Sequence, residues 1–279
     1  MAAHKKNVVL ASLVRKINVK GKRGDSIKLP KPTRGTASSK STNTVVTTLV
    51  ASGGASVTIN LTSHFEYSRL IEDIAEVQSL ASMRKFYTDD AGYALAVQKD
   101  TQIFKAAQTL NGGSTSEDYN SAVIAGDGTT VFNDAADNST AITDAGIRRV
   151  IQVLDDNNLP MSDRFLVIPP VARRIMMGLA RFTEQAFVGD GKTIRNGKLG
   201  DVYGVSVHVS GNCPSPDTAT TVKIGILAHR DALVLAEVLG PRVQTQYKQE
   251  YLATLLTADT IFGVAEAYDL GGLLLAMPG

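Results

Sequence analysis

The sequence predicts an α+β fold made of an extended β-ribbon, one long spine helix and an α/β lobe. Three observations carry this expectation. Residues 25–61 are rich in β-branched and small polar residues and poor in large apolar ones. Residues 83–110 place apolar side chains at helical spacing. From residue 141 onward, strand-like and helix-like patterns alternate, as they do in layered α/β units. At about 150 residues per domain, a chain of 279 residues is expected to divide into two lobes.

Residues 1–24 show no clean period and carry many charges, so they read as an arm rather than a core element. Residues 26–29 read as a short strand that stops at Pro30 and Pro32, because proline removes a ladder donor. Residues 34–43 are rich in Ser, Thr, Gly and Lys, a loop composition. Two β-branched runs, 44–50 and 56–61, flank Ala51, Ser52, Gly53 and Gly54, and this pattern predicts a hairpin. Such a ribbon has too few large side chains to bury a core of its own, and an isolated ribbon is marginal in water. It is therefore expected to lie on something else, such as another subunit.

Residues 62–71 continue extended, with Phe65 and Tyr67 on one face. Ile74, Val77 and Gln78 lead through a short helical piece into the spine. There Phe86, Tyr93, Ala96, Val97, Ile103, Phe104, Ala107 and Leu110 are expected to form the buried stripe. Thr88, Asp89 and Asp90 offer a turn or a favourable helix start, and Asn111-Gly112-Gly113 is a strong stop. Lys85, Gln98, Lys99, Gln102, Lys105 and Gln108 wet the other faces, which excludes a membrane span. Gly92 costs about 1 kcal/mol inside a helix, so a close contact or a bend is expected there. Asp100 interrupts the stripe, and a buried Asp100 is expected to pair with a basic residue. At about 1.5 Å per residue the helix reaches roughly 40 Å.

After Gly113 the chain is polar to about residue 140, with one short strand expected at 130–132. Thr143 and Asp144 cap a helix with Ile147, Val150, Ile151 and Leu154 inward. Residues 164–168 read as a buried strand closed by Pro169 and Pro170. A helix follows at 171–179, with Ile175, Met176 and Leu179 inward. A charged, Gly-rich loop runs to Asp201, and strands follow at 204–209 and 222–228. In the tail, 242–247 alternates as a strand and 252–256 fits either helix or strand. Residues 263–275 read as one final strand returning beside the spine.

Net charge is only +2, but it is divided. Before position 41, eleven basic residues (Lys5, Lys6, Arg15, Lys16, Lys20, Lys22, Arg23, Lys28, Lys31, Arg34 and Lys40) face a single acid, Asp25. The remainder is correspondingly acidic. A basic arm on an acidic body fits nucleic acid or the body of a neighbouring copy; the plainer alternative is a solvated, mobile terminus. Candidate subunit-interface residues are therefore Arg15, Lys16, Lys20, Lys22, Arg23, Lys28, Lys31, Arg34 and Lys40. The loop glycines Gly53 and Gly54 and the acidic patch Glu72, Asp73 and Glu76 join them. A single cysteine, Cys213, excludes an intramolecular disulfide. The apolar run 8–13 is too short for a signal-peptide core or a span, so the sequence reads as soluble.

No catalytic constellation emerges. Ala186-Phe187-Val188-Gly189-Asp190-Gly191-Lys192-Thr193 nearly spells a phosphate-binding loop, but its first glycine is replaced by Ala186. Its context is also wrong, since a true loop follows a strand and opens a helix. His4, His64, His208 and His229 lack metal-ligand spacing and read as surface or interface residues. Asp134, Asp137 and Asn138 lack the spacing and closing Glu of a calcium loop. The expectation is a non-enzyme with no cofactor and no metal.

The order of parts is itself informative. The arm leads to Asp25-Ser26-Ile27-Lys28-Leu29-Pro30 and Val57-Thr58-Ile59-Asn60-Leu61, then to Ile71-Glu72-Asp73 and a spine containing Gly92-Tyr93-Ala94-Leu95-Ala96 and Asp100. The lobe carries Phe165-Leu166-Val167-Ile168-Pro169-Pro170 and Gly197-Lys198-Leu199-Gly200-Asp201-Val202-Tyr203-Gly204-Val205. Ser210-Gly211-Asn212-Cys213-Pro214 and Ala228-His229-Arg230-Asp231-Ala232 complete it. This series resembles the major capsid protein of tailed bacteriophages, with its HK97-like fold, over nearly the whole chain. The resemblance implies an N-terminal arm at 1–24, an extended loop at 25–62, and a peripheral domain at 63–140. An axial domain at 141–230 and peripheral C-terminal strands at 231–279 follow. It also implies hexamers and pentamers closing an icosahedral shell around double-stranded DNA, in a virion assembled in the host cytoplasm. A separate scaffolding protein and a portal are expected as partners, and no membrane. An encapsulin-like compartment enclosing protein cargo is the alternative on the same fold, and a nucleotide-binding enzyme using Lys192 and Thr193 is the alternative on another.

Overall fold

The computed structural model describes residues 8–19, 24–32, 54–74, 83–113, 123–179 and 200–279, with positions 35, 37, 39, 40, 42, 43 and 119. The near phosphate-loop at 186–193, the β-branched run 44–50, and most of the approach to the spine after Ile74 lie outside these residues.

A short helix α1 (Leu10–Leu13) leads into β1 (Arg15–Asn18). A two-stranded ribbon follows, β2 (Ser26–Pro32) against β3 (Gly54–Asn60). Next come β4 (Ser63–Glu72) and the spine helix α2 (Met83–Ala107). The lobe contains β5 (Val123–Ala125), α3 (Asp144–Asp156), β6 (Arg164–Ile168) and α4 (Pro170–Met177). It continues with β7 (Asp201–Val202), β8 (Val205–Val209) and β9 (Val222–His229). The chain ends with β10 (Leu233–Lys248), β11 (Ala253–Glu266) and β12 (Gly272–Pro278). Two sheets organise them, one of four strands ordered β1-β10-β11-β4, the other of six ordered β5-β12-β9-β6-β8-β7.

The six-stranded sheet is covered on both faces, which is why all five residues of β6 are buried. On one face lie Ile147, Val150 and Leu154 of α3 with Ala172 and Met176 of α4. On the other lie Leu10 and Val14 of the N-terminal segment with Ile103, Phe104, Ala107 and Leu110 at the end of the spine. The N-terminal half of α2 packs instead on the four-stranded sheet, where Ala91 and Leu95 meet Ile71, Leu256 and Ala258. The spine thus spans both sheets. None of the described helices is long and apolar enough to cross a membrane.

Several expectations hold. Thr143 caps α3, its hydroxyl accepting from the Gly146 amide at 3.0 Å. Pro170 opens α4. Asn111, in the left-handed region at φ 57°, ends the spine region. Gly146, which the sequence did not single out, is required by packing, since a Cβ there would collide with the Gly126 carbonyl oxygen.

Others are corrected. Ser56–Asn60 pairs with β2, and Gly54, expected in a turn, begins the strand; the other half of the hairpin expected at 44–50 lies outside the described residues. β2 runs through Pro30 and Pro32. The Leu61 amide donates to Asp25 at 2.8 Å, which makes Asp25 and Leu61 a hydrogen-bonded pair. By alternation Pro30 and Pro32 then occupy non-hydrogen-bonded positions, where no ladder donor is lost. In the spine, the row Ala91, Leu95, Lys99, Ile103 and Ala107 is buried, while Phe86 is exposed and Tyr93, Ala96 and Val97 are half-buried. Thr88–Asp90 lie inside the helix, and Gly92 faces open space with nothing near its Cβ position. The strand expected at 130–132 is a single bridge of Val131 to Ile124, and β5 provides the strand. The expected single final strand is two strands in different sheets, broken at Asp269–Gly271.

Candidate assembly interfaces

The N-terminal segment is anchored rather than free over its described residues. Asp100, fully buried on the spine, accepts from the backbone amides of Val9 at 2.9 Å, Leu10 at 3.2 Å and Ala11 at 2.9 Å. The expected basic partner is replaced by orphan donors of the α1 turn, which a carboxylate satisfies well. Burial pushes the Asp100 carboxyl above the ordinary carboxylate value, against the downward pull of the three amides and of Lys16. Leu10 and Val14 belong to the main core, which overturns the reading of this stretch as arm rather than core. Of the basic candidates, Arg15 and Lys16 are exposed on β1. The Arg15 guanidinium lies 4.0 Å from the exposed carboxylate of Asp231. Lys20, Lys22 and Arg23 fall outside the described residues.

The base of the ribbon rests on its own subunit. Ile27, Leu29 and Ile59 pack with Ile17, Val19, Val234 and Ala236, on the sheet face opposite the spine. The expectation that it needs support is met within the chain. Lys28 and Lys40 are exposed, and Lys31 lies over the Tyr268 ring at 5.3 Å. Arg34 and Gly53 are outside the described residues. Beneath Lys31 a cavity of about 480 Å³ opens between Leu159, Pro160, His229 and Tyr268.

The distal end of the four-stranded sheet gathers part of the acidic patch. Glu72 is exposed, Asp73 accepts from the Tyr247 hydroxyl at 2.9 Å, and Glu76 is outside the described residues. Around them stand exposed apolar groups that the sequence reading missed: Leu70, Ile74, Val243, Tyr247, Tyr251 and Leu252. Leu252 holds φ at 45°, which is unfavourable for a non-glycine residue. The adjacent apolar pair Tyr251 and Leu252 between two strand patterns was the available signal.

Buried polar groups elsewhere serve the fold. Lys99, expected to be wet, meets Glu237 at 2.6 Å. Arg164 donates to the carbonyls of Pro160 and Leu159 at 2.8 Å each and pairs with Asp155 at 2.7 Å. Asp134 accepts from the amides of Thr218 and Ala219, holding a turn to the loop before β9. His229 is buried, not superficial, and its Nδ1 accepts from the Asp231 amide at 3.2 Å. The Cys213 thiol is buried and pushed up to about 12 by desolvation, so it is chemically inert. Among the described residues no group of His, Cys, Asp or Glu is placed to hold a metal.

Comparison with known proteins agrees with this geometry. The model of the phage capsid protein family matches residues 65–269. The chain therefore belongs to that family and is a structural protein rather than an enzyme. A structure of Mycobacterium phage Che8 is 18% identical, with a TM-score of 0.72, covering 99% of this chain and 93% of that one. The capsid of cyanophage P-SCSP1u is 18% identical, TM-score 0.74, covering 100% and 90%. The acid-stable capsid of Helicobacter pylori bacteriophage KHP30 is 14% identical, TM-score 0.72, covering 95% and 88%. The fold is the HK97-like capsid fold expected from the order of parts. No curated protein matches the sequence.

Proposed function

We propose that this chain is the shell-forming major capsid subunit of a tailed phage, assembling as hexamers and pentamers into an icosahedral shell around double-stranded DNA. The family match over residues 65–269 carries the reading. Support comes from a subunit that exposes an apolar sheet tip and long strand edges, surfaces that a neighbour would cover. Arg15, Lys16, Lys20, Lys22, Arg23, Lys28, Lys31, Arg34 and Lys40 would serve contacts between copies or with packaged DNA, and Gly53, Gly54, Glu72, Asp73 and Glu76 contacts between copies.

In this reading the arm is 1–24, the extended loop 25–62, the peripheral domain 63–140 with 231–279, and the axial domain 141–230. The final strand β12 pairs with β9, so in this reading the peripheral C-terminal strands would tie that domain to the axial one. A separate scaffolding protein and a portal complete the partners, and assembly takes place in the host cytoplasm. The test is electron microscopy of the purified protein at high concentration, with scaffolding protein supplied, and light scattering for mass. Closed shells or rings of five and six are expected. A monodisperse monomer under those conditions overturns the reading, and shells isolated with protein cargo instead of DNA favour a compartment.

A further inference from the structure

We propose that the two open edges of the four-stranded sheet are made for each other: β4 of one copy adds in parallel to the distal half of β10 on the next. The proposal rests on the shell reading above. β10 is 16 residues long, yet β1 pairs with it only from Val234 to Glu237. From Leu239 to Lys248 its outer side carries no strand among the described residues. β4, 10 residues long, is the opposite edge of the same sheet, and its outer side is equally open among the described residues. Unpaired edges are templates for strand addition.

The charges say which edge fits which. Arg242 and Lys248 bracket the uncharged run Val243-Gln244-Thr245-Gln246-Tyr247. On β4, Glu66 and Glu72 have the same spacing. Register places Arg242, Asp259 and Glu66 in one row and Lys248, Ala253 and Glu72 in another. Both rows lie on the face turned away from the spine, because Leu256 and Ala258 on the other face contact it. An antiparallel β10 pair centred on Thr245 would set Arg242 against Lys248, and an antiparallel β4 pair centred on Arg69 would set Glu66 against Glu72. Like charges directly opposite are destabilising. Joining β4 to β10 instead places Glu66 beside Arg242 and Glu72 beside Lys248. The direction also suits: both strands are antiparallel to β11, hence parallel to each other, and β1 already pairs with β10 in parallel. Arg242 is committed to Asp259 within its own chain at 2.7 Å, so Lys248 with Glu72 is the discriminating pair. Such a contact is heterologous and passes from copy to copy.

The test is the double variant Glu72→Cys, Lys248→Cys. Within one subunit these positions are two strand spacings apart, roughly 10 Å, beyond disulfide reach. Across the proposed contact they are about 4.8 Å apart, within reach. The buried Cys213 does not compete. Oxidised shells should give a ladder of linked subunits on non-reducing gels. In a second arm, Lys248→Glu and Glu72→Lys each lower shell yield several-fold, and the combined swap restores it. Shells that form normally without a ladder, or single charge reversals that assemble like the parent, overturn the edge pairing while leaving the shell reading intact. Failure of the parent protein to form any shell overturns both.

Discussion

Asp100 shows how one residue can tie the chain's beginning to its middle. Its carboxylate replaces water for three amides, and hydrogen bonds to a charged group contribute about 1.5–3 kcal/mol each before desolvation is charged against them. Asp100→Asn keeps the shape but turns one acceptor into a donor facing amides. We expect a loss of about 2 kcal/mol, read as a lower urea midpoint with an unchanged slope. Asp259 behaves differently with pH. The Arg242 fork holds its carboxyl below the ordinary range, helped by His64 and opposed by burial. A depressed carboxyl adds stability that is fully present above the unfolded value near 3.9 and is lost as pH falls through the folded value. Arg242→Gln should therefore lower urea stability slightly at pH 7, and the difference from the parent should vanish in acid below the folded value. Asp100 has the opposite sign. Its raised value favours the folded state at low pH, and that contribution fades as pH rises through the folded value.

At the scale of elements, the spine was legible as a helix but not as a surface. Its length, its Asn111 stop and half its stripe followed from spacing. Phe86 lies on the stripe expected from spacing yet is exposed, because the packed row begins one turn later at Ala91. The row that packs steps by four from Ala91 through Leu95, Lys99 and Ile103 to Ala107. Lys99 and Asp100 look like polar faults in a stripe until Glu237 and the α1 amides arrive from 138 and 90 residues away. Gly92 was expected to mark a close contact or a bend, and nothing approaches its Cβ position. Gly92→Ala should therefore stabilise the isolated subunit by about 0.5–1 kcal/mol, seen as a higher melting temperature. An unchanged or lower value would mean that the glycine is needed in some other way. The ribbon was legible as β, but hairpin rules point only to near partners and do not reach from 54–60 back to 26–32. β3 takes the distant β2 because Ile27, Leu29 and Ile59 together cover Val234 and Ala236.

For the whole molecule, the N-terminal segment is part of the core. Fully burying a Leu or Val side chain contributes about 1.5–3 kcal/mol, and deleting residues 1–14 removes both Leu10 and Val14. The truncated chain should be markedly less stable than the parent in urea, whereas removal of a merely solvated arm would leave the midpoint unchanged. By itself the sequence determined the order of parts, the helices and most strands of the lobe, and the charge division, because these follow from local period, capping and composition. The order of parts was enough to suggest the capsid fold. Only the tertiary structure decided which strand pairs with which, that β11 and β12 enter different sheets, and that Lys99, Asp100, Arg164 and His229 are buried. It also set Glu66 and Glu72 in register with Arg242 and Lys248. These depend on partners remote in the chain, and local spacing carries no record of which remote group will supply the missing hydrogen bond or apolar cover.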